Sequence, residues 1–183
     1  MVFIKRIEMR GFKSFGDRRI SIPLDKGLVV VTGPNGSGKS NIFDSIRFTL
    51  GDLSARSLRA DRMSEVIYDG SASTESKKTA YVSIQLDNTD RRIPVDTETV
   101  TIARRVNKEG ESNYFLNGKK AARSQLVDML SMAGLSSNGY NMIVQGTITR
   151  LADMTPEERR KAVEELVGIS EYDTKKNDAF LSV

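Results

Sequence analysis

The feature that most restricts how this chain can fold is the octapeptide Gly33-Pro34-Asn35-Gly36-Ser37-Gly38-Lys39-Ser40, set between a β-branched run and a helical pattern. Before it, Gly27-Leu28-Val29-Val30-Val31-Thr32 has the continuous apolar character of a strand buried on both faces of a sheet. After it, Ile42, Phe43, Ile46 and Leu50 recur at helical spacing on one face, and Gly51 marks a C-terminal stop. Glycine, four residues, then Gly-Lys-Ser inside a strand, loop and helix is the pattern of a phosphate-binding loop. Its glycines let successive backbone N–H groups turn toward phosphate oxygens where a Cβ would obstruct them. The helix N-terminus adds partial positive charge, Lys39 is placed to reach β and γ phosphates, and the Ser40 hydroxyl is placed to ligate Mg2+. An α/β fold around a nucleotide site is the expectation.

Composition removes whole classes of chemistry. The 183 residues include no His and no Cys, so an imidazole base, a thiol nucleophile, a disulfide framework and the usual zinc ligands are all excluded within this sequence. Leu28 to Val31 is the longest aliphatic run, far short of the roughly 20 apolar residues of a membrane span. The first residues turn charged at Lys5 after three apolar positions, which is no secretion signal. The expectation is a cytoplasmic chain with no membrane partner. The net charge of +4 is uneven: residues 1–26 carry seven basic against three acidic side chains, and residues 150–183 carry six against eight. That basic bias is compatible with nucleic acid but does not establish it.

Elsewhere, Phe3–Met9 and Arg18–Ile22 predict two short strands, with Gly11 and Gly16 punctuating the link. Residues 51–79 are rich in Ser, Arg and Asp and predict a surface loop. Tyr81–Asp87 alternates, Thr99–Val106 and Ser112–Leu116 flank the hairpin signal Asn107-Lys108-Glu109-Gly110-Glu111, and Asn117-Gly118 is another tight turn. Leu126, Val127, Met129, Leu130 and Ala133 predict a short helix stopped by Gly134, and Met142-Ile143-Val144 one more strand. At Thr155-Pro156-Glu157-Glu158, Thr at the N-cap, Pro at the first helical position and Glu three residues after the cap form a capping box. The charged helical pattern that follows is unfinished at residue 183.

Hydrolysis by such a loop also needs a carboxylate at the end of a second apolar strand. No run of four apolar residues followed by Asp-Glu occurs, and Asn107-Lys108-Glu109-Gly110 lacks the final Asp of the guanine-specifying pattern. The catalytic half of the site is expected outside these residues.

Gly11-Phe12-Lys13-Ser14-Phe15, the Gly33–Ser40 loop with Asn41-Ile42, and Leu53-Ser54-Ala55-Arg56-Ser57-Leu58-Arg59 together resemble the N-terminal head segment of structural maintenance of chromosomes (SMC) ATPases. Asn117-Gly118, Gly139-Tyr140-Asn141, Val144-Gln145-Gly146 and Glu158-Arg159-Arg160 continue the resemblance in order across residues 2–180, and Gly139-Tyr140-Asn141 before the glutamine resembles archaeal members more than typical bacterial ones. The resemblance implies an ABC-type P-loop NTPase half-domain: a mixed sheet flanked by helices over residues 1–154, and the start of a coiled-coil arm over 155–183. A C-terminal lobe of the same protein would supply the Walker B carboxylates, signature motif and switch histidine. It also implies ATP and Mg2+ as cofactors, with Lys13, Ser14, Gly33, Pro34, Asn35, Gly36, Ser37, Gly38, Lys39, Ser40, Asn41 and Arg59 around the nucleotide. Ser40 and Gln145 would hold the metal, and Lys39 and Gln145 would serve hydrolysis. Further implications are a second identical head, a kleisin subunit, nucleoid association, and double-stranded DNA contacted by Arg62, Lys119, Lys120 and Arg123. Three other readings stay open: a split-head repair or recombination ATPase, a self-contained small P-loop NTPase or kinase, and a non-catalytic binding module with a vestigial loop.

Overall fold

Alternating apolar residues in the front and middle of the chain build one six-stranded sheet. The computed structural model describes residues 2–16, 18–71, 76–135, 142–143 and 154–160. The chain divides into two compact units, Met1–Ala133 and Gly134–Val183. The first contains β1 (Ile4–Arg10), β2 (Ile20–Pro23), α1 (Lys39–Thr49), β3 (Thr79–Asp87), β4 (Thr99–Asn107), β5 (Ser112–Leu116), β6 (Lys119–Ala121) and α2 (Arg123–Met132). Strand order is β2-β1-β3-β4-β5-β6, and every pairing among the described residues is antiparallel. One face buries Ile7, Met9, Val82, Ile84, Leu86, Val100, Ile102 and Val106, and α1 packs against it over β3 and β4. Phe48 of α1 is fully buried and meets Phe12 at a ring separation of 5.3 Å.

The segment expected as a strand buried on both faces, Gly27–Thr32, forms no strand, and its residues lie exposed: Leu28 at 93% and Val30 at 70%. A β-branched run of this kind is buried only when strands flank it and layers cover both its faces. None of the six strands pairs with it.

Helix α1 also turns differently from its apolar pattern. Ile42, Phe43 and Ile46 are half-buried, and the inward residues are Asp44, Ser45, Phe48 and Thr49. The polar ones are buried because each finds a partner: Ser45 Oγ donates to the Ile42 carbonyl at 2.6 Å, Thr49 Oγ1 donates to the Ser45 carbonyl at 2.8 Å, and Asp44 accepts from two cations. Gly51 does end the helix. At φ +95°, its N–H reaches the Phe48 carbonyl and that of Asp52 reaches the Arg47 carbonyl, the two bonds of a Schellman stop.

Residues 51–79, expected as surface loop, contain two 3-10 turns, Arg56–Leu58 and Met63–Val66, which bury Leu58 and Val66 completely. Spaced apolar residues were too few there to register as periodic. The hairpin signals place β4 on β5 and β5 on β6 as expected, although three-residue β6 is too short to be legible beforehand. In the second unit the capping box is present: Thr155 N–H donates to Glu158 Oε2 at 2.9 Å and Glu158 N–H to Thr155 Oγ1 at 3.3 Å, with residues 156–160 helical. Met142 and Ile143 belong to no strand, while Val144 and Gln145 lie outside the described residues. Among the described residues no helix is long and apolar enough to cross a membrane.

Candidate functional site

Gly38 is the N-cap of α1, at φ +93°. A Cβ there would stand 3.1 Å from Ser14 Oγ and 3.3 Å from Phe15 Cζ. The loop therefore passes the Lys13–Phe15 turn at a distance and in a conformation that suit glycine. From the first turn of α1, Lys39 Nζ folds back and donates to the carbonyls of Gly33 at 2.8 Å and Pro34 at 2.7 Å. Gly33 to Ser37 and Ser40 are exposed around it. The result is an open loop at a helix N-terminus with one ammonium held inside its turn, an arrangement that receives phosphate.

Behind the loop lies a polar network that brings together four of the residues singled out from sequence. Asn41 Nδ2 donates to Ser14 Oγ at 2.8 Å, and Asn41 Oδ1 accepts from Arg59 Nη2 at 3.1 Å. Arg59 also grips Asp44 Oδ2 through Nη2 at 2.6 Å and Nε at 3.2 Å. The Lys13 ammonium is taken up by the same Asp44 oxygen and by the Leu58 carbonyl, leaving its side chain only 12% exposed against 53% for Arg59. Lys13 thus serves as an anchor in this structure, whereas Arg59 keeps an open side. Both adopt positive φ, +48° and +56°, and non-glycine residues so placed cost energy that surrounding contacts must hold.

Asp44 is the residue that sequence reasoning missed. It is the single acidic residue of α1 and lies three positions beyond Asn41, so one helical turn places the two together. Two cations singled out without a counter-charge were the available signal. The turn that carries Arg59 is positioned in its turn by Asp52. That carboxylate accepts from Arg47 Nη2 at 2.8 Å, Ser57 Oγ at 2.6 Å and Ser54 N–H at 2.9 Å.

The DNA candidates lie on three elements. Lys119 and Lys120 are adjacent and exposed on β6, and exposed Arg62 caps the turn Met63–Val66. Half-buried Arg123 donates from Nε to the Gly51 carbonyl at 2.9 Å and so helps close the end of α1. Gln145 lies outside the described residues. Among the described residues no group of three or more carboxylates is placed to hold a metal ion.

The family model for the RecF/RecN/SMC N-terminal domain matches residues 3–154. The chromosome partition protein Smc of Pyrococcus furiosus is 46% identical over 98% of this chain. The chain spans 15% of that relative's length. The Smc head domain of Pyrococcus furiosus, solved with an extended coiled coil and bound to the C-terminal domain of ScpA, superposes with a TM-score of 0.91 at 46% identity. It covers all of this chain and 46% of that one. A structure from work on ATP-driven dimerization and DNA-stimulated activation of SMC ATPases superposes at 0.84 with 45% identity, covering 90% of this chain and 99% of that one.

Proposed function

The chain belongs to the RecF/RecN/SMC N-terminal domain family, and from that membership we propose that it is the ATP-binding N-terminal lobe of an SMC head acting in chromosome condensation and segregation. The observation that carries the reading is the open Gly33–Ser40 loop, with Lys39 on its carbonyls and the Ser14–Asn41–Arg59–Asp44 network directly behind it. ATP would lie on residues 33–41, its phosphates against Lys39 and the helix N-terminus. The fit is supported by the close pass of Gly38 under Ser14, a cradle that a side chain would fill. Bound Mg2+ would neutralise developing charge on the phosphates, with Ser40 and Gln145 as its protein ligands.

In this reading a C-terminal lobe of the same protein completes the site. The exposed run Leu28–Val31, paired with no strand among the described residues, supports that, because strands from another segment would give it the neighbours its composition calls for. Arg59, half-open and hydrogen-bonded to Asn41 two residues after Lys39, is suited to sense nucleotide, while Lys13 fixes the Asp44 that orients it. ATP bound on one head would be capped by the signature motif of a second, identical head. Binding would join heads and hydrolysis would release them, in a complex with a kleisin and double-stranded DNA at the nucleoid. Identity of 46% to a chromosome partition protein favours this over a repair ATPase with the same split head. The exposed strand-forming run speaks against a self-contained kinase.

The role of Gln145 provides a test that separates binding from turnover. Gln145→Asn in the assembled head is expected to leave Mg-ATP affinity within about threefold and to lower turnover by about 100-fold, the scale of losing one positioned group at a transition state. Binding measured by calorimetry and phosphate release measured in parallel decide it. Equal loss at both steps contradicts the assignment.

A further inference from the structure

We propose that the sheet face turned away from α1 carries a second binding groove, for the phosphodiester backbone of nucleic acid, whose lining includes neither Lys119 nor Lys120. A cleft of about 500 Å3 lies across β1, β3 and β4, lined by Arg10, Arg19, Lys78, Tyr81 and Arg105. Among the described residues Glu8 is the only carboxylate in its lining, and it already accepts from Arg19. Arg10, Lys78 and Arg105 are exposed and have no carboxylate partner among the described residues. The groove therefore presents excess positive charge.

The register explains how the cations are spaced. Arg10 is the partner of Tyr81 and Tyr81 the partner of Arg105, one row across three neighbouring strands. At about 4.8 Å between strands, Arg10 and Arg105 start about 10 Å apart, a span of about three phosphates along one nucleic-acid strand. Arg105 lies over two rings: its guanidinium carbon is 5.7 Å from the centre of Tyr81 and 5.6 Å from that of Phe115. A planar fork held on aromatic faces keeps its N–H donors for an anion, and suits the two oxygens of a phosphate. The adjacent Arg104 points into the core, so the alternation of β4 puts one arginine to structural use and the other on this surface.

The inference rests on the DNA-binding part of the proposed function, and the experiment separates the two. In the assembled head, binding of short duplex DNA is measured by fluorescence anisotropy across a salt series. The subjects are the unaltered protein, the triple variant Arg10→Ala, Lys78→Ala, Arg105→Ala, and the pair Lys119→Ala, Lys120→Ala. The triple variant is expected to bind at least about tenfold more weakly near 0.1 M salt, with the slope of log affinity against log salt reduced by about 2 to 3. Mg-ATP binding should be unchanged and reports an intact fold. Lys78→Glu repeats the test at an exposed position if the triple variant fails to fold, and should weaken binding by itself. Unchanged affinity in the triple variant with loss in the Lys119 and Lys120 pair overturns the groove while the DNA reading stands. No DNA binding by the unaltered head overturns both. Loss of binding to a polyglutamate peptide at unaltered DNA affinity assigns the groove to an acidic polypeptide and also overturns the proposal.

Discussion

Lys39→Ala is expected to abolish nucleotide binding, lowering the affinity of the assembled head for Mg-ATP by at least about 100-fold. The ammonium is the one cation inside the loop's own turn, held by two carbonyls at 2.7 and 2.8 Å. Each charge-assisted hydrogen bond to a phosphate oxygen contributes about 1.5–3 kcal/mol, so two of them account for the 100-fold, which is about 2.8 kcal/mol. The fold should not suffer. The partners of Lys39 are exposed loop carbonyls, which water can solvate, and surface changes of this kind stay within about 0.5 kcal/mol. Calorimetric titration with Mg-ATP beside thermal unfolding checks both halves. Affinity within threefold of the unaltered protein contradicts the role given to Lys39.

Arg104→Ala is expected to cost about 3–5 kcal/mol of stability, the range for leaving buried charges or polar groups without their partners and a large side chain's volume empty. Arg104 is a fully buried side chain, 1% exposed, and forms no ion pair among the described residues. Its charge is compensated by carbonyls and rings. Nη1 donates to the carbonyls of Phe48 at 3.0 Å and Asp52 at 2.7 Å, at the negative end of α1. Nη2 donates to Ser112 Oγ at 2.9 Å, and the guanidinium stacks 4.3 Å from the Phe48 ring centre and 5.0 Å from that of Tyr114. Burial, the largest influence, pulls the Arg104 pKa below its ordinary value, and the same burial pushes that of Tyr114 up. One side chain thus ties β4 and β5 to the end of the helix that follows the Gly33–Ser40 loop. Arg104→Lys should recover only part of the loss, because an ammonium cannot stack flat between two rings while reaching three acceptors. Urea unfolding of the three proteins decides it, and a loss under about 1 kcal/mol for Arg104→Ala contradicts the account.

What could be read in advance was local. The loop, its helix and the αL stop at Gly51 follow from residues within one or two turns of one another, as do the Asn117-Gly118 turn and the Thr155 capping box. The resemblance to SMC heads named Lys13, Ser14, Asn41 and Arg59, and these four share one hydrogen-bonded network through Asp44. What escaped depends on distant partners. Asp44 and Arg104 look like ordinary surface charges on paper, because burial of a charge is decided by acceptors and donors far along the chain. Ser45 and Thr49 turn inward on α1 for a local reason instead: carbonyls three and four residues back in the same helix accept from their hydroxyls. Leu28–Val31 shows the opposite failure. Its composition is that of a buried strand, yet composition cannot supply the strands beside it.

The central claim is that these residues form the nucleotide-binding half of a divided ATPase. It is tested most directly by measuring Mg-ATP binding and multiple-turnover hydrolysis on this chain alone, and again after addition of a C-terminal head segment, with Lys39→Ala as the control. The account predicts binding without turnover by the chain alone, and turnover when the second segment is present. Turnover by the chain alone that Lys39→Ala abolishes would place a complete catalytic site within these 183 residues and contradict the claim.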